Sequence, residues 1–270
     1  MLFRSKRGDI IYRIGKDYYV TSDNLDEAVQ KYIRGIPGTN VDITFLRNGE
    51  EISYTILRKD ITINQVESSM VSNDIGYIAL HQFAGNCEAE FESALNTLVS
   101  QGAKGLIIDL RDNQGGWVDQ ARYIADLFMD EGELCYLKYR NGTESHFEYP
   151  TTEGKADVKL VILVNENSAS SSEILSGALR DCADATLVGV KTFGKGIVQG
   201  VYSVGTNGAG CQITVAQYFT PNGYSVHNIG ITPDHIVELP DGDNGMYDFL
   251  DTENDIQLIK AIEVMKEKLK

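Results

Sequence analysis

An α/β fold around a largely buried parallel sheet is what this sequence predicts, from apolar runs that each break into a turn and then a helical pattern. Gly105–Leu110 (G-L-I-I-D-L) breaks at R-D-N-Q-G-G, and a helix from about Val118 to Met129 follows, carrying Ala121, Ile124, Ala125 and Phe128. Leu160–Val164 (L-V-I-L-V) breaks at N-E-N and enters a helix bearing Ile174, Leu175, Ala178 and Leu179. Ile75–Leu80, with a helix over Cys87–Gln101 lined by Phe91, Leu95, Leu98 and Val99, has the same order. Strands that read apolar throughout are covered on both faces, and the intervening helices supply that cover.

The front of the chain has a different texture, and the composition changes near Ile61 to Val66, so domains are expected at 1–63 and 64–270. Gly8–Ile14 alternates like a strand. Leu25–Ile33 reads as a helix with Leu25, Ala28, Val29, Tyr32 and Ile33 on one face, Asn24 as its N-cap and Gly35 as its stop. Val41–Arg47 and Ile52–Leu57 flank Asn48-Gly49, a strong hairpin signal. Three strands and one helix make a thin core. At the other end, Asn254–Lys268 reads as an amphipathic helix whose closing lysines suit the macrodipole.

Charge excludes some functions. With 24 basic and 39 acidic residues the net charge is −15, and the one basic run is Arg4 to Arg7. Phosphate neutralisation needs clustered Lys and Arg, so no nucleic-acid partner is expected. No apolar run approaches the roughly 18 residues of a membrane span, and no signal peptide opens the sequence. Cys87, Cys135, Cys182 and Cys211 are far apart, and His81, His146, His227 and His235 lack metal-ligand spacing. No metal or other cofactor is expected, and the thiols read as small hydrophobes.

Two segments point to chemistry. Val164–Glu173 (V-N-E-N-S-A-S-S-S-E) crowds serines where a buried strand meets a helix start. Ser170 to Glu173 fits the capping box S-x-x-E, so Ser170 alone reads as a cap. The same position borders the unpaired N–H groups of a helix start, where the N–H of Ser171 can hold an oxyanion. Twenty-five residues on, T-F-G-K-G-I-V-Q places Lys195 between Gly194 and Gly196, with Gln199 beyond it. A lysine serves as a base at neutral pH only when its ammonium is destabilised. Phe193, Ile197 and Val198 are the expected source of that desolvation, and Gln199, on the same face of a following strand, is expected to steady the side chain. Arg111–Gly116 follows a buried strand at its C-terminal end, where α/β sheets place their ligands, and its paired glycines offer a second oxyanion N–H.

Two other patterns fail on their surroundings. Gly189–Gly196 nearly matches a phosphate loop, but Gly196 stands where the motif needs Ser or Thr, and the residues after it alternate as a strand. A Ser-His-Asp hydrolase wants G-x-S-x-G, and the nearest string is Gly223 to His227.

Taken together, N-E-N-S-A-S-S-S-E-I, T-F-G-K-G-I-V-Q, L-R-D-N-Q-G-G, A-Q-Y-F-T-P-N-G (Ala216–Gly223) and G-I-T-P-D (Gly230–Asp234) resemble, in order, the signatures of the C-terminal processing (tail-specific) proteases. The resemblance covers nearly the whole length. It maps the catalytic serine onto Ser170, the base onto Lys195, its supporting glutamine onto Gln199, and oxyanion N–H groups onto Gly116 and Ser171. Gln114 stands where the family has proline, and Ser171 where it has alanine beside the nucleophile. The front resembles the second half of a PDZ domain. Its first half, with the loop that captures a peptide carboxylate, has no counterpart in the sequence.

The resemblance implies a crotonase-like (strand-strand-helix) protease core preceded by a partial PDZ domain, and metal-independent hydrolysis of peptide bonds by a Ser/Lys dyad. It implies a polypeptide substrate, C-terminal or unfolded, with small or apolar side chains near the cut, a possible homo-oligomer, and an extracytoplasmic site of action reached with a signal sequence not seen here. The competing expectation is a non-catalytic peptide-binding or scaffold protein that keeps the fold.

Overall fold

Residues 5–6, 8–60, 64–129, 133–148, 155–205, 208–240, 242, 245, 247 and 249–270 are described by the computed structural model. Part of the expected boundary (61–63) and two ends of the basic run (Arg4 and Arg7) lie outside them. The chain divides into two units, Met1–Ile63 and Asn64–Lys270.

In the first unit, β1 (Ile10–Ile14), β2 (Tyr18–Tyr19), β3 (Asn40–Arg47) and β4 (Glu50–Leu57) form an antiparallel sheet in the order β2-β1-β3-β4. Asn48 and Gly49 both take positive φ (53° and 85°), as the two-residue turn between β3 and β4 requires. The expected helix is composite: a 3₁₀ turn (Ser22–Asn24), then α1 (Leu25–Ala28), then a π turn (Val29–Ile33). Two of its end signals act differently from expectation. Asn24 makes no cap bond to the helix that follows; its Oδ1 accepts from the N–H of Thr21, one turn earlier. Gly35 is no left-handed stop. Arg58 donates to the last carbonyls, Ile33 and Tyr32, at 2.7 and 2.6 Å, and a Cβ on Gly35 would lie 2.8 Å from its Nε. Ile14, Ala28, Val41, Ile43 and Phe45 form the small core.

In the second unit a six-stranded sheet is built from β5 (Val66–Met70), β6 (Ile75–Leu80), β7 (Gly105–Asp109), β10 (Lys159–Val164), β11 (Thr186–Gly189) and β14 (His235–Ile236). Its order is β14-β11-β10-β7-β6-β5, parallel except for β5. The other elements are α2 (Cys87–Ser100), α3 (Val118–Asp126), β8 (Glu133–Tyr139), β9 (Glu144–Glu148), α4 (Ser171–Cys182), β12 (Ile197–Val204), β13 (Ala209–Phe219) and α5 (Ile256–Lys268). A second, antiparallel sheet runs β12-β13-β8-β9.

Alternation along the buried strands divides the core in two. Ile78, Leu80, Leu106, Ile108, Leu160 and Ile162 pack towards α2, α3, α4 and β8. Ile75, Tyr77, Ile107, Val161 and Leu163 pack towards α5 through Leu258, Ala261, Val264 and Met265. This is why those strands read as apolar throughout: each face of the sheet has its own cover.

At the end of β7 the α5 face holds a buried ion network. Arg111 donates to Asp109 (Nη2 to Oδ2, 2.6 Å) and to Asp255 (Nη2 to Oδ2, 2.7 Å; Nη1 to Oδ1, 3.0 Å). Tyr77 also donates to Asp109, at 2.7 Å, and Asp255 caps α5 through the N–H groups of Gln257 and Leu258. Arg111 therefore ties the turn after β7 to the start of the last helix. Removing it strands two buried carboxylates side by side. Arg111→Met should cost about 3–5 kcal/mol, read as a lowered midpoint in urea with an unchanged slope; an unchanged midpoint would contradict the network's role.

Candidate active site

Parallel strands present their C-terminal ends on one side of a sheet, and three neighbours here, β7, β10 and β11, deliver the three sequence segments there. After β7 comes Leu110–Gly116, after β10 Asn165–Ser170, and after β11 Val190–Lys195.

The first two turns are bolted together by buried polar groups. Asn113 is fully buried: its Nδ2 donates to the Leu80 carbonyl, its Oδ1 accepts from the Gly115 N–H, and its carbonyl accepts from Ala169 N–H and Ser172 Oγ. Ser168 Oγ donates to the Leu110 carbonyl at 2.7 Å. Asp112, at φ 60°, accepts from the side-chain amides of Asn165 and Asn167. Both glycines are obligatory. A Cβ on Gly115 would lie 2.7 Å from the Ala169 carbonyl oxygen and 2.9 Å from Ser170 Cβ, and one on Gly116 would lie 2.0 Å from the Phe83 carbonyl oxygen. Bulk at Gly115 would separate the two turns, and bulk at Gly116 would push the first of them off Phe83, in the segment after β6.

Ser170 sits where α4 begins, with φ 57° and ψ −116°. That pair lies outside the left-handed helical well, so the residue holds backbone strain worth about 1–3 kcal/mol. Ser170 and Glu173 stand in capping-box register, and Ser170 N–H donates to Glu173 Oε2 at 3.0 Å. The N–H of Glu173, however, bonds the Ser170 carbonyl oxygen at 2.9 Å. Behind the serine, neither the Gly116 N–H nor the Ser171 N–H has a hydrogen-bond partner among the described residues. Ser171 is itself buried, and its Oγ donates to the Gly116 carbonyl at 2.9 Å, which holds those two backbone positions side by side.

Glu173 is the residue that sequence reading undervalued, taking it only for a cap. It is fully buried. Oε1 accepts from Thr192 Oγ1 (2.6 Å) and Gly194 N–H (2.7 Å), while Oε2 accepts from Lys195 N–H (2.9 Å) as well as from Ser170 N–H. Four donors fill the acceptor capacity of one carboxylate. One oxygen thus holds the backbones of Ser170 and Lys195 together. Tyr218, buried behind them, takes its N–H to the Gly196 carbonyl at 3.0 Å. Burial, and then the charge of Glu173, push its phenol well above the ordinary value, so it stays protonated.

Two expectations about the lysine do not hold. Lys195 is exposed, and Phe193, one of its expected covers, is 65% exposed, because the loop turns both side chains outward while its backbone faces Glu173. Its ammonium has no hydrogen bond among the described residues. Gln199 is exposed too, and a bulge between Val198 and Gln199 breaks the alternation that was to put it on the face of Lys195 and Ile197. The structure therefore joins Ser170, Ser171, Gly116 and the backbone of Lys195, and leaves Gln199 outside that hydrogen-bonded group.

Strain at Ser170 has a measurable sign. Alanine keeps the Cβ and the strain, whereas glycine adopts this conformation freely. Ser170→Gly should melt about 2–4 °C above Ser170→Ala, as roughly 1 kcal/mol does in a chain of this size; equal or inverted melting temperatures would contradict the strain.

Comparison with known proteins assigns the chain to a family. Residues 74–237 match peptidase family S41. The chain is similar to the carboxyl-terminal-processing protease of Synechocystis sp., 42% identical over 225 residues (80% of this chain, 52% of that one). It is also similar to the carboxy-terminal processing protease CtpA of Bacillus subtilis, 37% identical over 237 residues (87% and 50%). Among solved structures, the photosystem II D1 C-terminal processing protease superposes with a TM-score of 0.62 at 28% identity, over 88% of this chain and 66% of that one. The chain spans about half the length of the curated relatives it matches.

Proposed function

The chain belongs to peptidase family S41, and we propose that it is a serine endopeptidase acting on C-terminal or unfolded polypeptide segments through a Ser170/Lys195 dyad. One observation carries the proposal: Glu173 Oε2 accepts from the N–H groups of both Ser170 and Lys195. The backbones of the proposed nucleophile and base are thereby held by one buried group, which supports the pairing.

In this reading the amine of Lys195 takes the proton from Ser170 Oγ as the oxygen attacks the scissile carbonyl carbon. The oxyanion that forms is held by the free N–H groups of Gly116 and Ser171. Lys195 then protonates the leaving amine, and an acyl ester remains on Ser170. Water, deprotonated by the same lysine, releases the product and restores the hydroxyl. Because Lys195 is exposed in the free protein, the substrate itself supplies the desolvation, by lying over the site and excluding water from the amine. Gln199 keeps the supporting role in this reading only if the same closure brings it over Lys195.

The proposed domains are a crotonase-like protease core over 64–270 and, over 1–63, a partial PDZ module, for which the strand–helix–hairpin order of the first unit is the support. No helix among the described residues is long and apolar enough to cross a membrane. The family resemblance supports action outside the cytoplasm. A non-catalytic peptide-binding role draws support from the exposed lysine, and labelling of Ser170 by a fluorophosphonate separates the two.

Arginine keeps the charge of lysine but cannot deprotonate. Lys195→Arg should therefore be nearly as inactive as Lys195→Ala, and Ser170→Ala should lose about 10⁴- to 10⁶-fold in turnover of an internally quenched peptide. The parent's kcat/KM should rise with pH between about 6 and 10. An active arginine variant, or a flat profile, would sink the dyad.

A further inference from the structure

From Gly196 to Pro233 the sequence holds no Asp, Glu, Lys or Arg, in a chain where 23% of residues are charged and the net charge is −15. Within that stretch lie β12 and β13. Near its base the hairpin belongs to the antiparallel sheet, since Ala216–Phe219 pair with β8. From Gln199 to Thr214 its described residues pair only with one another, so β12 has a free edge. Val201 (78%), Tyr202, Val204 and Ile213 (about half) stand in solvent.

Edge strands are normally protected by charge, by proline or by shortness. The other edges follow that rule: β9, β5 and β4 carry Glu144, Glu67 and Glu50, and β2 and β14 have two residues each. β12 has eight residues, I-V-Q-G-V-Y-S-V, with none of these devices. A two-stranded ribbon with both faces in water is also marginal by itself. An unprotected edge of this kind is suited to backbone pairing with an extended chain.

We propose that the free edge of β12 is a docking strand for the substrate polypeptide, which adds to it as an extended, uncharged, apolar segment. The inference rests on the proteolytic reading of the site, because β12 begins two residues after Lys195 and a chain paired with it runs from the Ser170/Lys195 site. Backbone pairing supplies affinity without reading sequence, and Val201, Tyr202 and Val204 supply apolar contact. A second copy of this chain is disfavoured as the occupant, since two bodies of charge −15 repel at long range.

The test is fluorescence anisotropy with a labelled, uncharged, Val/Tyr-rich ten-residue peptide titrated into the full chain carrying Ser170→Ala, so that cleavage plays no part. Val201→Lys with Val204→Lys, at exposed positions, should weaken binding at least tenfold. N-methylation at alternate peptide positions should do the same in one phase of the alternation and not in the other. Equal binding by parent and double variant, no binding by either, or indifference to methylation overturns the docking strand. Sedimentation showing a dimer that the double variant abolishes, with peptide binding untouched, also overturns it and assigns the edge to a second copy. Cleavage of the same peptide by the unmodified chain is measured separately. Binding without cleavage would remove the proteolytic reading and leave the strand; cleavage with unaltered KM in the double variant would remove the strand and leave the protease.

Discussion

A single buried carboxylate organises the candidate site. Glu173 lies in the first turn of α4, has no exposure to water, and accepts from Ser170, Thr192, Gly194 and Lys195. Three of the four donors are backbone N–H groups, so what it fixes is the course of the chain. A buried donor left unpaired costs about 1–3 kcal/mol, and Glu173 satisfies several at once. It also explains how a loop with an outward-facing lysine still passes beside the serine: the loop is held from inside.

Around that group the fold gathers a strained residue and closely packed turns. Parallel β7, β10 and β11 bring three turns to one end of the sheet, and Gly115 lets two of them touch while Gly116 lets the first lie against Phe83. Ser170, strained at positive φ, is held by the packing of α4, whose Ile174, Leu175, Ala178 and Leu179 are buried in the larger core. Arg111 anchors the turn after β7 to α5 on the opposite face. The N–H groups of Gly116 and Ser171, without partners among the described residues, are thus held in place by elements reaching from both sides of the sheet.

Much of this was legible from sequence because the strongest signals are local. The strands Ile75–Leu80, Gly105–Asp109 and Lys159–Val164, with the helices after them, follow from apolar runs and periodicity, and the hairpin at Asn48-Gly49 from its dipeptide. Strands whose pairing is distant were not read: Thr186–Gly189 is four residues long, and Glu133–Tyr139 mixes charge with apolar residues and finds its partner in Ala216–Phe219. The error at Lys195 has the same origin. Apolar neighbours in sequence suggested burial, but Phe193 points to water, and exposure is a property of the surrounding fold. The bulge after Val198 could not be seen in an alternating string. Glu173 was visible as S-x-x-E, but only the packed loop shows that its acceptors serve a second segment.

The central claim is that Glu173 couples the serine turn to the lysine loop. Hydrogen exchange at the Gly194 and Lys195 amides, with the rate of fluorophosphonate labelling at Ser170, tests it in Glu173→Gln, which replaces one acceptor oxygen with a donor. The account predicts that both amides lose protection and that labelling slows at least tenfold while the protein still unfolds cooperatively. Protected amides and unchanged labelling in that variant would contradict it.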